Sequence, residues 1–126
     1  IAAEGRIFSR FYSPSASCAP ARAAALTGRH GRRTGVSANV GALRRNELTI
    51  AEYLKKGCDD DPSGVCYTAG LIGKWHIGQS VEGLRPWDRG FDEFYGHWSS
   101  GRDYFKAKPL WCSPNAAVRT RPRAAA

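Results

Sequence analysis

One stretch of this chain, residues 17–28 (Ser-Cys-Ala-Pro-Ala-Arg-Ala-Ala-Ala-Leu-Thr-Gly), constrains its local fold and its chemistry more than any other. Alanine is the strongest helix former, and Pro20 suits the first helical position because its missing N–H costs nothing there. Gly28 is typical of the position just past a helix C-terminus. The stretch therefore predicts a short helix, with Cys18 just ahead of its N-terminus.

The N-terminus of this predicted helix favours an anion, because free backbone N–H groups and the helix dipole meet there. Arg22 lies in the first turn, where the helix dipole disfavours a cation, so its presence indicates a function such as binding an anion beside Cys18. The cysteine could be a thiolate nucleophile, a modified residue, or a buried cysteine in an ordinary Ala-rich helix. A phosphatase of the thiolate type has arginine six residues after its cysteine, where this chain has Ala24.

A second candidate anion site follows residues 67–72, a mostly apolar run that predicts a short buried strand. If the chain stays extended beyond it, Lys74 and His76 point to one side and Trp75 to the other. A lysine and a histidine at the carboxyl end of a strand are well placed to hold an anion.

Together the two motifs resemble the signatures of the sulfatase family. Residues 18–28 carry the pattern Cys-x-Pro-x-Arg followed by Leu-Thr-Gly, and residues 67–76 (Tyr-Thr-Ala-Gly-Leu-Ile-Gly-Lys-Trp-His) are similar to the second signature. Residues 86–96 and 101–105 are also similar to segments that follow in sulfatases. One departure is Ala25, where the family usually has a larger apolar residue.

The resemblance implies an α/β fold, namely part of an alkaline-phosphatase-like fold with a central mixed sheet flanked by helices. We expect residues 1–107 to form part of a sulfatase catalytic domain and residues 108–126, whose end is rich in Arg, Pro and Ala, to be a disordered tail. The chain contains no methionine, so we expect a piece of a longer protein.

The same resemblance implies hydrolysis of sulfate esters. In sulfatases the residue matching Cys18 is oxidised to formylglycine by a formylglycine-generating enzyme, and its hydrate attacks sulfur. Arg22 would stabilise that hydrate, while Lys74 and His76 would bind the sulfate oxygens. A divalent cation, usually calcium, would polarise the ester with the formylglycine oxygen as one ligand; the family's aspartate ligands match no residue of this chain. The family suggests a secreted, lysosomal or periplasmic protein.

Composition leaves two other functions open. The net charge of +8, from 19 Lys and Arg against 11 Asp and Glu, favours anionic partners. One alternative is a phosphate or phosphonate ester hydrolase of the same superfamily. The other is a basic binding module for nucleic acid, or one with zinc on Cys58, Cys66 and Cys112, whose spacing lacks paired Cys-x-x-Cys ligands. We expect no nucleic-acid partner and find no membrane segment in the sequence.

Two further segments are predicted to be regular. Residues Ile7 to Tyr12 are rich in strand formers and predict a short strand. Residues 48–57 predict a scaffold helix that begins with a Thr49–Glu52 capping box and ends at Gly57.

Two loops complete the predictions. Residues 29–35 form a basic, glycine-punctuated loop that is either solvated or an arginine-lined approach to the anion site. The acidic residues 58–66 match the opening of a calcium loop, but Gly70 stands where that pattern needs Glu, so we expect a surface loop that a Cys58–Cys66 disulfide could close.

Overall fold

The computed structural model describes residues 1–59, 66–78, 81–99, 101, 105 and 111–112. Three helices, a 3₁₀ turn and three strands follow one another along these residues. In chain order they are α1 (Cys18–Thr27), α2 (Gly31–Thr34), α3 (Ile50–Asp59), β1 (Gly70–Lys74), the 3₁₀ turn Pro86–Arg89, β2 (Glu93–His97) and β3 (Trp111–Cys112). None of the described helices is long and apolar enough to cross a membrane.

The strands form one mixed sheet in the order β1-β2-β3. β1 and β2 are parallel, with Gly73 opposite Gly96 and Lys74 opposite His97, whereas β2 and β3 are antiparallel. A Cβ atom on Gly96 would overlap the carbonyl of Gly73, so this register requires glycine there. The mixed sheet and the helices confirm the predicted α/β class.

The core joins α1, α3, the loop between α2 and α3, and the ends of the strands. Its buried members are Ala19, Ala23, Val36, Leu43, Ala51, Trp75, Ile77, Phe91 and Phe94. Trp75 is fully buried, its indole N–H donates to the carbonyl of Leu84 at 2.8 Å, and its ring meets Phe91 edge-on at 6.0 Å. Trp75, which belongs to the second motif, therefore anchors the end of β1 in the core.

The predicted first helix is confirmed, with a shift at its start. α1 ends at Gly28, which has φ 66° and whose N–H donates to the carbonyl of Ala24 at 2.9 Å. Cys18 is the first helical residue rather than the residue ahead of the helix, and Pro20 is the third rather than the first. Proline is tolerated there because the first four N–H groups of a helix have no intrahelical partner.

The predicted capping box of α3 is confirmed. The N–H of Thr49 donates to Oε2 of Glu52 at 2.8 Å, and the N–H of Glu52 donates to Oγ1 of Thr49 at 3.2 Å. The predicted end at Gly57 is wrong, since α3 continues to Asp59. A glycine ends a helix when it adopts positive φ, and Gly57 does not do so.

The strand predicted for residues 7–12 is wrong. These residues form turns and irregular backbone, and Ile7, Phe8, Phe11 and Tyr12 are all largely exposed. Strand propensity alone does not form a strand, because the backbone needs a hydrogen-bonded neighbour, and the sheet of the described residues consists of β1, β2 and β3.

The basic loop predicted for residues 29–35 contains the short helix α2, which ends at Gly35 with φ 90°. Gly31 packs closely on α1, since a Cβ atom there would come within 2.8 Å of the Cβ of Pro20. The sequence predicted only a loop here, because a sequence pattern does not encode the tight packing of this turn against α1.

The buried strand predicted for residues 67–72 is shifted and partly exposed. β1 begins at Gly70, and Ile72 is 84% exposed, so the apolar run is not a buried strand. In the acidic loop, residues 60–65 lie outside the described part, but Cys66 is disulfide-bonded. The predicted pairing with Cys58 stays a prediction, as does the domain boundary at residue 107. Within the tail predicted to be disordered, residues 111–112 form β3, and the other residues lie outside the described part.

Candidate active site

The N-terminus of α1 meets the end of β1. The Sγ atom of Cys18 lies 3.3 Å from Nδ1 of His76 and 3.3 Å from Oδ1 of Asn39. Cys18 is a free, half-buried thiol, whereas His76 is only 2% exposed. The structure thus brings together one residue from each predicted motif, 58 positions apart in the chain.

The backbone at His76 departs from the extended conformation expected from the sequence. Among the non-glycine residues that the structure describes, His76 alone has positive φ, at 64°. Its N–H donates to the carbonyl of Trp98, and the N–H of Trp75 donates to the carbonyl of His97, both at 3.0 Å. Strained backbone of this kind persists where surrounding contacts hold it, and it is concentrated at functional sites.

Arg22 binds the same strand end. Its Nε atom donates to the carbonyl of Trp75 at 2.9 Å, and its Nη2 atom donates to the carbonyl of Lys74. Cys18 and Arg22 share a helix face because they are four residues apart. Burial lowers the pKa of Arg22, and the charge of a Cys18 thiolate partly opposes that effect. Arg22 therefore links the backbone of the second motif to the helix of the first.

The electrostatic environment of His76 favours the neutral form of its imidazole, because it lowers the pKa of this residue. Burial lowers the pKa of His76 most, and the positive charges of Lys74 and Arg22 and the neighbouring His97 lower it further. A hydrogen bond with the backbone of Asn39 opposes these effects in part. The cations around Cys18 would attract an anion, and an anion bound among them would offset their mutual repulsion.

Lys74 is the half-buried last residue of β1, two positions before His76, and the parallel register sets it beside His97. The structure thus brings all four predicted site residues, Cys18, Arg22, Lys74 and His76, to the junction of α1 with the end of β1. The catalytic and sulfate-binding roles assigned to them from the resemblance stay predictions.

The arginine-lined approach considered for residues 29–35 does not include Arg29. Its Nη1 atom donates to both carboxylate oxygens of Glu47, at 2.9 and 2.8 Å. Arg29 follows the C-terminal end of α1, whose ten residues, beginning at Cys18, span about 15 Å. This arginine instead pairs with Glu47 beyond the far end of the helix.

The sequence analysis missed two residues of this junction, Asn39 and His97. Asn39 lies in an irregular loop with no periodic or capping signal around it, so only the folded chain shows its contact with Cys18. His97 ends β2, and its Nδ1 atom is buried without a hydrogen-bond partner in the described structure. No strand was predicted for residues 93–97, and the pattern of a single strand does not specify which strand lies beside it.

The described residues do not form a metal site. They contain no group of three or more His, Cys, Asp or Glu side chains that could hold a metal ion. Calcium takes six to eight oxygen ligands, whereas the charged groups next to Cys18 are the cations Arg22 and Lys74. The zinc alternative also loses a ligand, because a disulfide-bonded Cys66 offers no thiolate.

Comparison with known proteins identifies the family. The sequence model of the family described as Sulfatase matches residues 1–118. This chain belongs to the sulfatase family. Two similar proteins are Arylsulfatase G of Canis lupus familiaris, 42% identical over 101 residues, and N-acetylgalactosamine-6-sulfatase of Sus scrofa, 38% identical over 104 residues. Each alignment covers 76% of this chain, but only 17% and 19% of those relatives.

A solved structure supports the same assignment. The sulfatase chain is similar to the crystal structure of Ps i-CgsB in complex with k-i-k-neocarrahexaose, with a TM-score of 0.55 and 31% sequence identity. The match covers 69% of this chain and 19% of that one. The alkaline-phosphatase-like fold predicted from the motifs is thereby confirmed, for a segment that spans less than a fifth of the length of these relatives.

Proposed function

We propose that the protein containing this chain is a sulfuric ester hydrolase that uses the side chain at position 18 as its nucleophile. One observation carries the proposal: Sγ of Cys18 lies 3.3 Å from His76, at a helix N-terminus that also holds Arg22. Free N–H groups, a guanidinium and a lysine around one nucleophilic position suit a tetrahedral anion. Membership of the sulfatase family makes sulfate the favoured anion.

Each residue has a role in this proposal. Formylglycine, made from Cys18 by its generating enzyme, would supply the nucleophilic oxygen. Lys74 and His76 would hold the sulfate oxygens and offset the charge that develops in the transition state, because donors aimed at a developing anion act strongly in a site that excludes water. Arg22 would fix the carbonyls of residues 74 and 75 and keep a positive charge beside position 18.

The proposed reaction also uses a divalent cation, which is calcium by likeness to the family. Since the described residues form no metal site, the side chain at position 18, as formylglycine, is the one ligand that we assign to this chain. The remaining ligands would come from the rest of the protein.

The proposal names a reaction class and not a particular ester. Similar proteins carry names as different as Arylsulfatase G and N-acetylgalactosamine-6-sulfatase, so likeness alone does not select the alcohol part of the substrate.

The test compares paired esters with the purified full-length protein. 4-Nitrophenyl sulfate should be hydrolysed faster than 4-nitrophenyl phosphate, and Cys18→Ala should abolish both activities. Mass spectrometry of the tryptic peptide containing position 18 should show an aldehyde or its hydrate. A preference for the phosphate or phosphonate ester would support the superfamily alternative, and an unmodified thiol in an active enzyme would contradict the formylglycine part.

The isolated 126-residue chain provides the negative control. We expect no measurable turnover from it, because the described residues offer one oxygen ligand at position 18 and no group of three or more acidic side chains that could hold a hard cation. Turnover of 4-nitrophenyl sulfate by the purified chain would contradict this expectation.

A further inference from the structure

The first turn of α1 has no cap of its own. Ser17 is the N-cap residue, but its side chain makes no capping hydrogen bond, and the first turn contains no acidic residue. A serine at this position normally accepts a hydrogen bond from an N–H two or three residues later. The helix end that presents Cys18 must therefore be held by another group.

Asn39 supplies that group from 20 positions further along the chain. Its Oδ1 atom accepts a hydrogen bond from the N–H of Ala19 at 3.1 Å and from Sγ of Cys18 at 3.3 Å. A backbone N–H can only donate, so the atom facing it must be the amide oxygen, and this assigns the orientation of the carboxamide. One oxygen thus binds both the first turn of α1 and the side chain at position 18.

The loop that carries Asn39 is fixed on both sides. Val36 is fully buried in the core, and the N–H of Leu43 donates to the carbonyl of Ile77 at 3.1 Å. The N–H of Gly41 closes a turn on the carbonyl of Ala38 at 3.1 Å. This loop is therefore a support able to hold the carboxamide in one place.

The backbone of Asn39 also acts on the imidazole of His76, whose pKa it raises against the larger effect of burial. The same residue therefore binds Cys18 through its side chain, and Cys18 in turn lies 3.3 Å from His76. Neither signature motif contains Asn39, yet this residue binds the first motif at the point where that motif meets His76 of the second.

We propose that Asn39 is a positioning residue that fixes the side chain at position 18 against His76 and caps the first turn of α1. The proposal rests on the proposed function and adds a residue to it. When oxygen replaces sulfur at position 18, a hydroxyl there can donate to the same carboxamide oxygen, so the contact survives conversion of the cysteine.

The kinetic test uses the full-length protein, with turnover corrected for the fraction converted at position 18. Asn39→Ala should lower kcat by about 10- to 100-fold with little change in KM, the range seen when a group that orients a reactive side chain is removed. Asn39→Asp keeps an acceptor oxygen but adds a negative charge, so it should restore much of kcat and raise KM for an anionic ester. Asn46→Ala is the matched control, because this exposed asparagine lies beside the C-terminal half of α1.

A second readout requires no turnover. Hydrogen exchange at the Ala19 amide, measured at residue resolution, should be faster in Asn39→Ala than in the parent. It should stay slow in Asn39→Asp, which can still accept the bond, and in Asn46→Ala. Faster exchange in Asn39→Ala alone would support the cap, and equal exchange in all four proteins would overturn it.

The two readouts separate this inference from the proposed function. An active parent with an unchanged kcat in Asn39→Ala would overturn the positioning role and leave the sulfatase proposal intact. A parent with no activity towards sulfate or phosphate esters would overturn the proposed function and this inference with it. A thermal midpoint close to that of the parent in Asn39→Ala distinguishes a local loss of alignment from unfolding.

Discussion

Two arginines withdrawn from solvent, Arg89 and Arg22, are held in opposite ways. Arg89 is 2% exposed, and its Nε and Nη2 atoms donate to the two carboxylate oxygens of Glu52, both at 3.0 Å. It also donates to the backbone carbonyls of Glu47 and Arg44. Arg22 is half-buried and donates to two backbone carbonyls, and no ion pair to it is found in the described part of the chain.

This difference in charge compensation distinguishes Arg89, a structural residue, from Arg22, a residue of the candidate site. The Glu52 carboxylate neutralises the charge of Arg89, which is therefore not available to bind an anionic ligand. The pair joins α3 to the 3₁₀ turn before β2. The carbonyls around Arg22 orient its guanidinium but do not neutralise it. A cation that is oriented, partly buried and not neutralised, beside a nucleophilic side chain, is typical of an anion site.

The largest expected effect is on stability and falls on the scaffold arginine. Arg89→Ala should lower the free energy of unfolding by about 3–5 kcal/mol, because it removes the charged partner of the Glu52 carboxylate and the donor to two backbone carbonyls. Denaturant unfolding of the full-length protein measures the loss. A loss below about 1 kcal/mol, the range of an exposed pair, would contradict the contrast between the two arginines.

Arg22→Ala should chiefly affect turnover. We expect kcat/KM for a sulfate ester to fall by about 100- to 1000-fold, the cost of removing one preorganised group from an anion site. Arg22→Lys keeps the charge but cannot make both carbonyl contacts, so it should recover only part of the activity. Near-parental activity in Arg22→Ala would assign Arg22 to the scaffold together with Arg89.

Lys74→Ala and His76→Ala test whether the neighbours of Arg22 belong to the same anion site. Each should lower turnover of the full-length enzyme by about 100- to 1000-fold while the melting temperature changes little. Trp75→Ala provides the contrast, because this fully buried ring should cost about 3–5 kcal/mol of stability. Unchanged turnover in both site variants would remove Lys74 and His76 from the sulfate-binding role.

Acid should weaken the scaffold pair. Burial raises the pKa of Glu52, but hydrogen bonds from Arg89 and Thr49 outweigh it and hold the pKa below the ordinary value of 4.5. A lowered pKa in the folded state means that the pair stabilises fully above 4.5, and that this contribution disappears as the pH falls below it. Thermal midpoints recorded across this range should fall more steeply in the parent than in Glu52→Gln, and parallel curves would contradict the assignment.

The smallest effect is expected for an exposed ion pair near the same scaffold. Nζ of Lys55 lies 2.6 Å from Oδ1 of Asp92, but each side chain is 39% exposed. Lys55→Ala should therefore change the unfolding free energy by less than about 1 kcal/mol. A loss comparable to that of Arg89→Ala would show that burial is not what distinguishes these pairs.

Local signals in the sequence predicted local structure. Alanines followed by Gly28 predicted α1, and Thr49 with Glu52 predicted the start of α3, because helix propensity and capping depend on residues a few positions apart. The motifs at residues 18–28 and 67–76 predicted the family and the candidate site. The strand expected at residues 7–12 failed, because a strand depends on a neighbour that its own sequence does not specify.

The sequence by itself therefore determined the α/β class, the sulfatase family and four of the residues that meet at the candidate site, Cys18, Arg22, Lys74 and His76. Only the tertiary structure decided how they meet: the positive φ of His76, the two carbonyls held by Arg22, and the reach of Asn39 to Cys18. These features depend on contacts between residues 20 to 58 positions apart. Such contacts form only when the core orders the loops, so a local sequence pattern does not predict them.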